Sequence, residues 1–376
     1  MRKIVGRLVL PILVGALLAG CVTTGGDMGK GVDPEAAIAP LIDVAARKME
    51  LAAVPANERG RWCKEAWPTP NMERRATTSG PIEFQASNAQ RAGNALFGLV
   101  EAYYAGRRRA AKDIRDALER GASIDAFTVL VAYRPAEFPG YNEMNEPIFQ
   151  VANFLVPLAH AYLIVQHEFA DEEALLTDIK RWGDRLFQVT NSGRDDFIGV
   201  VRGVDRRAHI SAGWAYWGNA ANNRAALARA YRYYVYSLVG IGEGGVDRIW
   251  IDFPPDGGTR LSHINSTLQG ALVAAHALRR SGASDVYTIA PGGGTVIEGL
   301  AWLWDEIEEK RPLEILAFPR HDGSKSIAWV ELFVHEFPDH PSAKHMDEWL
   351  SKKGALHVNM GGGPTTCLYG RVTPEA

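Results

Sequence analysis

An all-α fold of helical hairpins closing into an (α/α) toroid, or incomplete barrel, is what this sequence predicts, and three observations predict it. From about residue 34 to residue 350, apolar residues recur at i, i+3, i+4 and i+7 in segment after segment, with almost no alternating strand pattern. Short links between successive segments favour antiparallel neighbours, that is, helical hairpins. No repeat of fixed period runs through them, as an open solenoid would require.

The helices can be justified in order. A helical pattern starts at Pro34 and runs through Ala36, Ile38, Leu41, Ile42 and Ala45. Asn88 to Tyr104 puts Ala92, Ala95, Leu96, Leu99 and Tyr103 on one stripe, and Arg107 to Glu119 follows with its Arg run on a solvated face. Phe149 to Glu168 carries Val151, Phe154, Leu155, Leu158, Ala159 and Tyr162 at helical spacing. Leu175 to Val189 has Leu176, Ile179, Trp182 and Leu186 in register. Ile210 to Ala220 and Asn223 to Val239 come next, then Leu261 to Arg280, Val296 to Lys310 and Ile327 to Phe337. Breakers sit between them at Phe138-Pro139-Gly140, Pro254 to Gly258 and Pro291 to Gly294.

Ahead of this body, residues 1–20 read as a signal peptide. Arg2, Lys3 and Arg7 precede a short apolar run from Leu8 to Leu18, too short to span a bilayer. It ends in Leu18-Ala19-Gly20-Cys21, which resembles the bacterial lipobox and implies lipidation of Cys21. Val22 after the cysteine is similar to the pattern that sorts lipoproteins to the periplasmic side of the outer membrane. Residues 21–33 form an expected flexible tether, and 34–376 a single domain.

The chain has 376 residues, 47% hydrophobic and 23% charged, which excludes a wholly disordered polymer. Its 41 Lys and Arg against 44 Asp and Glu leave a net charge of −3, which becomes −6 once the three signal-peptide cations are removed. That balance argues against a nucleic-acid partner. Cys63 and Cys367 either pair or stay buried thiols; an oxidising compartment favours the pair. No cysteine–histidine spacing suits a metal, so neither metal nor other cofactor is expected. A monomer is expected.

Four segments hold polar and aromatic residues beyond what a helical core needs. In Arg206 to Trp217, His209 precedes Trp214 and Trp217, either sugar-stacking rings with a polar histidine or plain core. In Gly257 to Leu268, Arg260, His263 and Thr267 share a face, while Asn265 lies on the apolar stripe of Leu261, Leu268 and Leu272. An inward amide needs partners, which a ligand or a neighbouring helix could supply. Tyr141 to Glu146, followed by Gln150 and Asn153, reads as a polar loop at a helix entrance. Ala328 to Phe333 reads as core, with Trp329 buried. No GxSxG, HExxH or P-loop occurs in context. Carboxylate pairs for hydrolysis, Asp195 with Asp196 or Glu143 with Glu146, have simpler readings as solvated loop acids.

At these residues the chain resembles the alginate lyase family of α/α toroids (polysaccharide lyase family 5). Leu158-Ala159-His160-Ala161-Tyr162-Leu163 is similar to that family's Leu-Ala-Ser-Ala-Tyr-Leu helix, and Ile179-Lys180-Arg181-Trp182 to the helix that follows. Ala208-His209-Ile210-Ser211 to Trp217 falls where the family has Asn-Asn-His-Ser-Tyr-Trp. Arg260 to Leu268 falls where it has Arg-Ala-Leu-Ala-Tyr-His-Asn-Tyr-Ala-Leu, and Ile327-Ala328-Trp329-Val330-Glu331 is similar to its Tyr-Ala-Trp-Leu-Glu-Pro. The resemblance spans roughly residues 150 to 335.

It implies a lyase that cuts an acidic polysaccharide, alginate (mannuronan) or a glucuronan, by β-elimination. A donor neutralises the uronate carboxylate, a base takes the C5 proton and an acid protonates O4. By resemblance His209 is the neutraliser or base, and Arg260 and Asn265 bind the carboxylate. Two departures stand out: Ala208 replaces the Asn before the motif His, and Ser266 stands at the usual catalytic Tyr. Tyr216, Tyr141, Tyr133 or His263 would then carry the proton. Asn142, Gln150, Asn153, Trp214, Trp217, Trp250 and Arg248 are expected to line the subsites. A glycoside hydrolase on the same toroid, or a non-catalytic glycan-binding lipoprotein, are the alternatives.

Overall fold

The structure, a computed structural model, describes residues 29–55, 58–63, 68–78, 87–131, 145–191, 204–246, 257–310, 327–352 and 362–372. Among these residues lie twelve α-helices and only two minimal two-stranded ladders, β1 (Arg75–Ala76) with β2 (Val129–Leu130) and β3 (Ile241–Gly242) with β4 (Gly245–Val246). The helices are α1 (Val44–Ala52), α2 (Asn88–Tyr104), α3 (Ala110–Ser123), α4 (Asn145–Glu168), α5 (Glu173–Thr190) and α6 (Val204–Ala220). They continue with α7 (Arg224–Ser237), α8 (Gly257–Arg280), α9 (Val296–Lys310), α10 (Trp329–Glu336), α11 (Pro341–Ser351) and α12 (Thr365–Tyr369). The fold is an α/α toroid.

Packing follows from composition. α4 is apolar nearly all round, and a helix of that kind must be covered on every side. It is covered by protein: Val151, Leu155, Leu158, Ala161 and Ile164 are all fully buried. α5 is amphipathic instead, and turns Ile179, Trp182 and Leu186 inward while Arg181 and Gln188 face solvent. Such inner and outer helices alternate along the chain.

The inner helices run parallel. α4 meets α6 at Glu146–Arg206 near their starts and at His160–Tyr216 further along. α6 meets α8 at Asp205–His263 near the starts and at Asn219–Ser281 past the ends. α8 meets α10 at Asn265–Trp329 and at His276–Glu336. α5 and α7 run back between them: Trp217 of α6 reaches Asp184 of α5, while Trp214, earlier in α6, reaches the later Thr190. One rim of the toroid therefore collects the N-terminal turns of the inner helices, and the opposite end collects their C-terminal turns.

Two glycines let the inner helices approach. A Cβ on Gly213 would lie 1.9 Å from the Ala152 carbonyl oxygen of α4, and one on Gly270 of α8 would lie 2.9 Å from the His209 backbone nitrogen. α6 is thus clasped on both sides at backbone distance, close to where His209 sits.

The C-terminal end is sealed by the chain's two extremities. Cys63 and Cys367 are disulfide-bonded, and the Arg47 guanidinium of α1 donates to the carbonyls of Cys367 and Thr366 at 2.8 and 3.0 Å. Tyr369 of α12 meets Tyr216 hydroxyl to hydroxyl at 3.0 Å. On the N-terminal side, the expected helix from Pro34 does not form; α1 starts only at Val44, capped by Asp43. The preceding residues give their carbonyls to side chains instead: Ala36 to Arg224, Ala39 to Asn219 and Pro40 to Arg280. Residues 29–33, expected as free tether, are held too, with the Lys30 amide donating to Asp285 at 2.6 Å.

Candidate active site

At the rim, each inner helix contributes polar residues from its first turns. α4 supplies Glu146, Phe149 and Gln150; the Gln150 amide donates to Glu146 at 2.6 Å, and the same carboxylate meets the Arg206 guanidinium of α6 at 3.0 Å. Arg206 also lies over the Phe149 ring at 5.7 Å. Next along α6, His209 is buried and edge-on to Phe149, with ring centroids 6.1 Å apart.

α8 answers with two histidine partnerships. Nε2 of His209 lies 3.0 Å from the Ser266 hydroxyl, and Nδ1 of His263, one turn before Ser266, lies 3.1 Å from an Asp205 oxygen. Both members of the His263–Asp205 pair keep some exposure, 17% and 19% of their side chains, so the pair is reachable from solvent. Burial by itself would push the Asp205 carboxyl up. The hydrogen bond and charge of His263, with the Arg206 charge and backbone N–H, outweigh it and hold Asp205 below its ordinary range. Asp205 is therefore an anion at neutral pH. Its acceptance of the Nδ1 proton would set the His263 tautomer with Nε2 as the basic atom.

Asn265 is inward, as its stripe predicts, and its carbonyl oxygen accepts from the Trp329 indole at 2.7 Å. Arg260 falls in the first turn of α8, but its side chain lies outside what the structure describes. Gln150 and Asn153 line a small cavity of about 20 Å³ between α2 and α4, with Gln90, Asn94 and Phe97. The amide nitrogen of Asn153 is buried there with no partner among the described residues.

Three expectations need correction. Trp214 and Trp217 line no subsite: both are fully buried, and their indole N–H groups donate to Thr190 at 2.9 Å and Asp184 at 3.0 Å on the outer helix α5. Tyr216 is no acid for the rim. It lies two turns beyond His209, fully buried against Tyr369, and burial with that neighbouring hydroxyl pushes its own well above the ordinary tyrosine value. Glu146 is not a solvated loop acid: it lies in the first turn of α4, buried, with its carboxylate accepting from Gln150 and Arg206. Tyr133, Tyr141, Asn142, Glu143, Asp195, Asp196, Arg248, Trp250 and Cys21 lie outside the described residues.

Sequence reasoning missed Asp205. Its partner is 58 positions away, so no local spacing marks it; the weak signal available was an acid at the second position of a helix leading into His209. Among the described residues no three His, Cys, Asp or Glu side chains gather as a metal site.

No protein-family model matches the sequence, and no curated relative matches it either. The fold does match solved structures. Alginate lyase A1-III from Sphingomonas species A1 superposes with a TM-score of 0.66 at 16% identity, covering 93% of this chain and 100% of that one. A His-to-Ala variant of alginate lyase A1-III complexed with tetrasaccharide gives 0.64 at 16% identity, over 92% and 98%. A Tyr-to-Phe variant, also complexed with tetrasaccharide, gives 0.65 at 15%, over 94% and 100%. The likeness is one of fold across nearly the whole chain.

Proposed function

We propose that this chain is a polysaccharide lyase that cleaves a polyuronate, mannuronan-type alginate or glucuronan, by β-elimination. The observation that carries the reading is the Asp205–His263 pair beside His209–Ser266 on the rim of a toroid shared with an alginate lyase. Asp205 holds His263 by Nδ1, and Nε2 takes the C5 proton of the bound uronate. The electron pair left at C5 forms the C4–C5 double bond as the C4–O4 bond breaks, and the imidazolium returns its proton to O4. His263 thereby takes over the work that the resemblance assigns to a Tyr at position 266.

The other groups act on charge. Removing the C5 proton places negative charge next to a carboxylate, so donors aimed at that carboxylate lower the barrier most. His209, Asn265, Arg206 and Arg260 are assigned that task. The N-terminal turns of α4, α6 and α8 add their positive dipole ends, which favours an anion at the rim although the mature chain is net negative. A hydrolase would need a carboxyl kept protonated at the rim. Among the described residues of the rim, Asp205 is instead held ionised, and Glu146 meets the Arg206 guanidinium at 3.0 Å.

The reading includes a monomer anchored by lipidated Cys21 on the periplasmic side of the outer membrane. The test of the chemistry is the ultraviolet absorbance of unsaturated uronate when soluble protein starting at residue 22 meets polymannuronate and glucuronan. A rise that is lost in His263→Ala supports the proposal. Release of reducing ends without any rise would replace it with hydrolysis.

A further inference from the structure

We infer that Gln269 of α8 reads the 2-hydroxyl of the bound uronate and so turns the site towards glucuronate over mannuronate. The inference deepens the lyase reading and rests on it.

The direction of Gln269 follows from its helix. α8 shows Ser266 and Gly270 to α6, where both meet His209. It shows Asn265 and His276 to α10, through Trp329 and Glu336. Leu268 points away from the axis to α9, 2.9 Å from where a Cβ on Gly299 would lie. At about 100° per residue, Gln269 falls on the remaining strip, between the α6 and α10 sides and so towards the toroid axis. Val273, one turn further along that strip, meets the C-terminal segment that floors the axis: it lies 3.4 Å from where a Cβ on Gly362 would be, and the Tyr216 hydroxyl of α6 lies 3.6 Å from the same point.

Gln269 is buried, and no described residue donates to its Oε1. A buried acceptor without a donor is costly, and a ligand that brings a proton relieves it. Across the axis, Ala152 packs towards α6 at Gly213, and Phe154 and Pro157 pack towards α2 at Gly93. Asn153 therefore faces the axis between them, and its buried amide nitrogen has no partner among the described residues either. α6 presents only Ala212 and Gly213 at this level. The layer is thus uncharged, and a carboxylate has no proton to give Oε1, whereas a hydroxyl both donates and accepts.

Depth and ring geometry name the hydroxyl. Gln269 lies about one helical turn, roughly 5.4 Å, below Ser266 and Asn265, at the level where the uronate carboxylate is assigned. In a pyranose ring C2 lies across from C5, which bears that carboxylate. A ring standing with its carboxylate at His209 and Asn265 therefore turns C2 down towards Gln269. Glucuronate and mannuronate differ only in configuration at C2. The equatorial 2-hydroxyl of glucuronate continues away from the carboxylate and reaches the carboxamide layer; the axial 2-hydroxyl of mannuronate leaves the face of the ring sideways.

The test measures binding in the His263→Ala protein, so that no chain is consumed, with glucuronate and mannuronate tetrasaccharides compared by calorimetry. Glucuronate should bind at least about tenfold tighter, and Gln269→Leu should bring the two within about twofold. Gln269→Met, unbranched and of similar reach, is the second variant should the first not fold. Melting temperatures should be unchanged or raised, because each substitution removes a buried acceptor without a donor. Equal or reversed preference before the substitution, or a preference that the substitution leaves intact, would overturn the inference, while an ultraviolet rise on either polymer would still uphold the lyase. Binding of neither tetrasaccharide, with no rise on either polymer, would overturn both.

Discussion

The two ends of the toroid use nearly the same residue types for opposite purposes. The rim holds His209, His263, Asp205, Glu146 and Arg206; the sealed end holds His160, His276, Glu336, Tyr216, Tyr287 and Tyr369. At the sealed end Nδ1 of His276 meets Glu336 at 2.9 Å and Tyr287 donates to the same carboxylate at 3.0 Å, much as His263 meets Asp205. Yet the His276 side chain is fully buried, and the C-terminal segment closes over it, with Tyr369 edge-on to its ring at 5.2 Å. Burial would raise the Glu336 carboxyl, but the hydrogen bond and charge of His276, with Tyr287, bring it down to about 2. A histidine–carboxylate contact alone therefore does not mark a site. Access does, and here access is decided by which end the termini cover.

The comparison can be broken most sharply by removing the rim pair. His263→Ala should lower kcat by roughly 10²–10⁴-fold, the usual range for a positioned acid–base group, with little loss of thermal stability because the side chain is partly exposed. Asp205→Asn should cost about ten- to a hundredfold, leave KM nearly unchanged and displace the pH–rate profile, which a merely structural residue would not do.

At the sealed end the expected effects are on stability. Cys63→Ser opens a bridge between residues 304 apart in sequence and should cost about 2–5 kcal/mol in denaturant unfolding, while turnover per folded molecule is retained. Gly213→Ala, which forces a methyl against the Ala152 carbonyl, should cost about 1–3 kcal/mol or more by the same measurement.

The smallest effect near neutral pH comes from His160. Burial, with the nearby charge of His276, lowers it from 6.5 to about 3. The unfolded chain therefore binds a proton that the folded one refuses. Stability conferred by the neutral ring is complete above pH 6.5 and drains as pH falls towards 3, at up to about 1.4 kcal/mol per pH unit. His160→Leu should flatten that slope in thermal melts between pH 6 and 4; an unchanged slope would show that His160 is not its source.

Much of the fold was legible because helices announce themselves locally. Asn88–Tyr104 and Val296–Lys310 occur as the periodicity predicts, and Ser87 caps the first of them by accepting from the Gln90 amide at 3.0 Å. The segment from Pro34 misled because its apolar spacing is helical while its carbonyls are claimed by Arg224, Asn219 and Arg280, partners invisible to a local pattern. Short α11 and α12 went unread, being too brief to establish a period.

The site was legible only by residue type. His209, His263 and Asn265 could be picked out as polar residues on helical segments, but their partners Ser266, Asp205 and Trp329 are set by helix packing across 57 to 64 positions. Trp214 and Trp217 show the converse: an indole stacks on a sugar or fills a core equally well by composition, and only the partners on α5 decide between the two.

The central claim, that a polyuronate is held at the rim and nowhere near the sealed end, is tested most directly by amide hydrogen exchange of the His263→Ala protein with and without a mannuronate tetrasaccharide. Added protection confined to the first turns of α4, α6 and α8, with residues 362–372 unchanged, is the result expected. Protection at the sealed end, or none anywhere at saturating oligosaccharide, would contradict it.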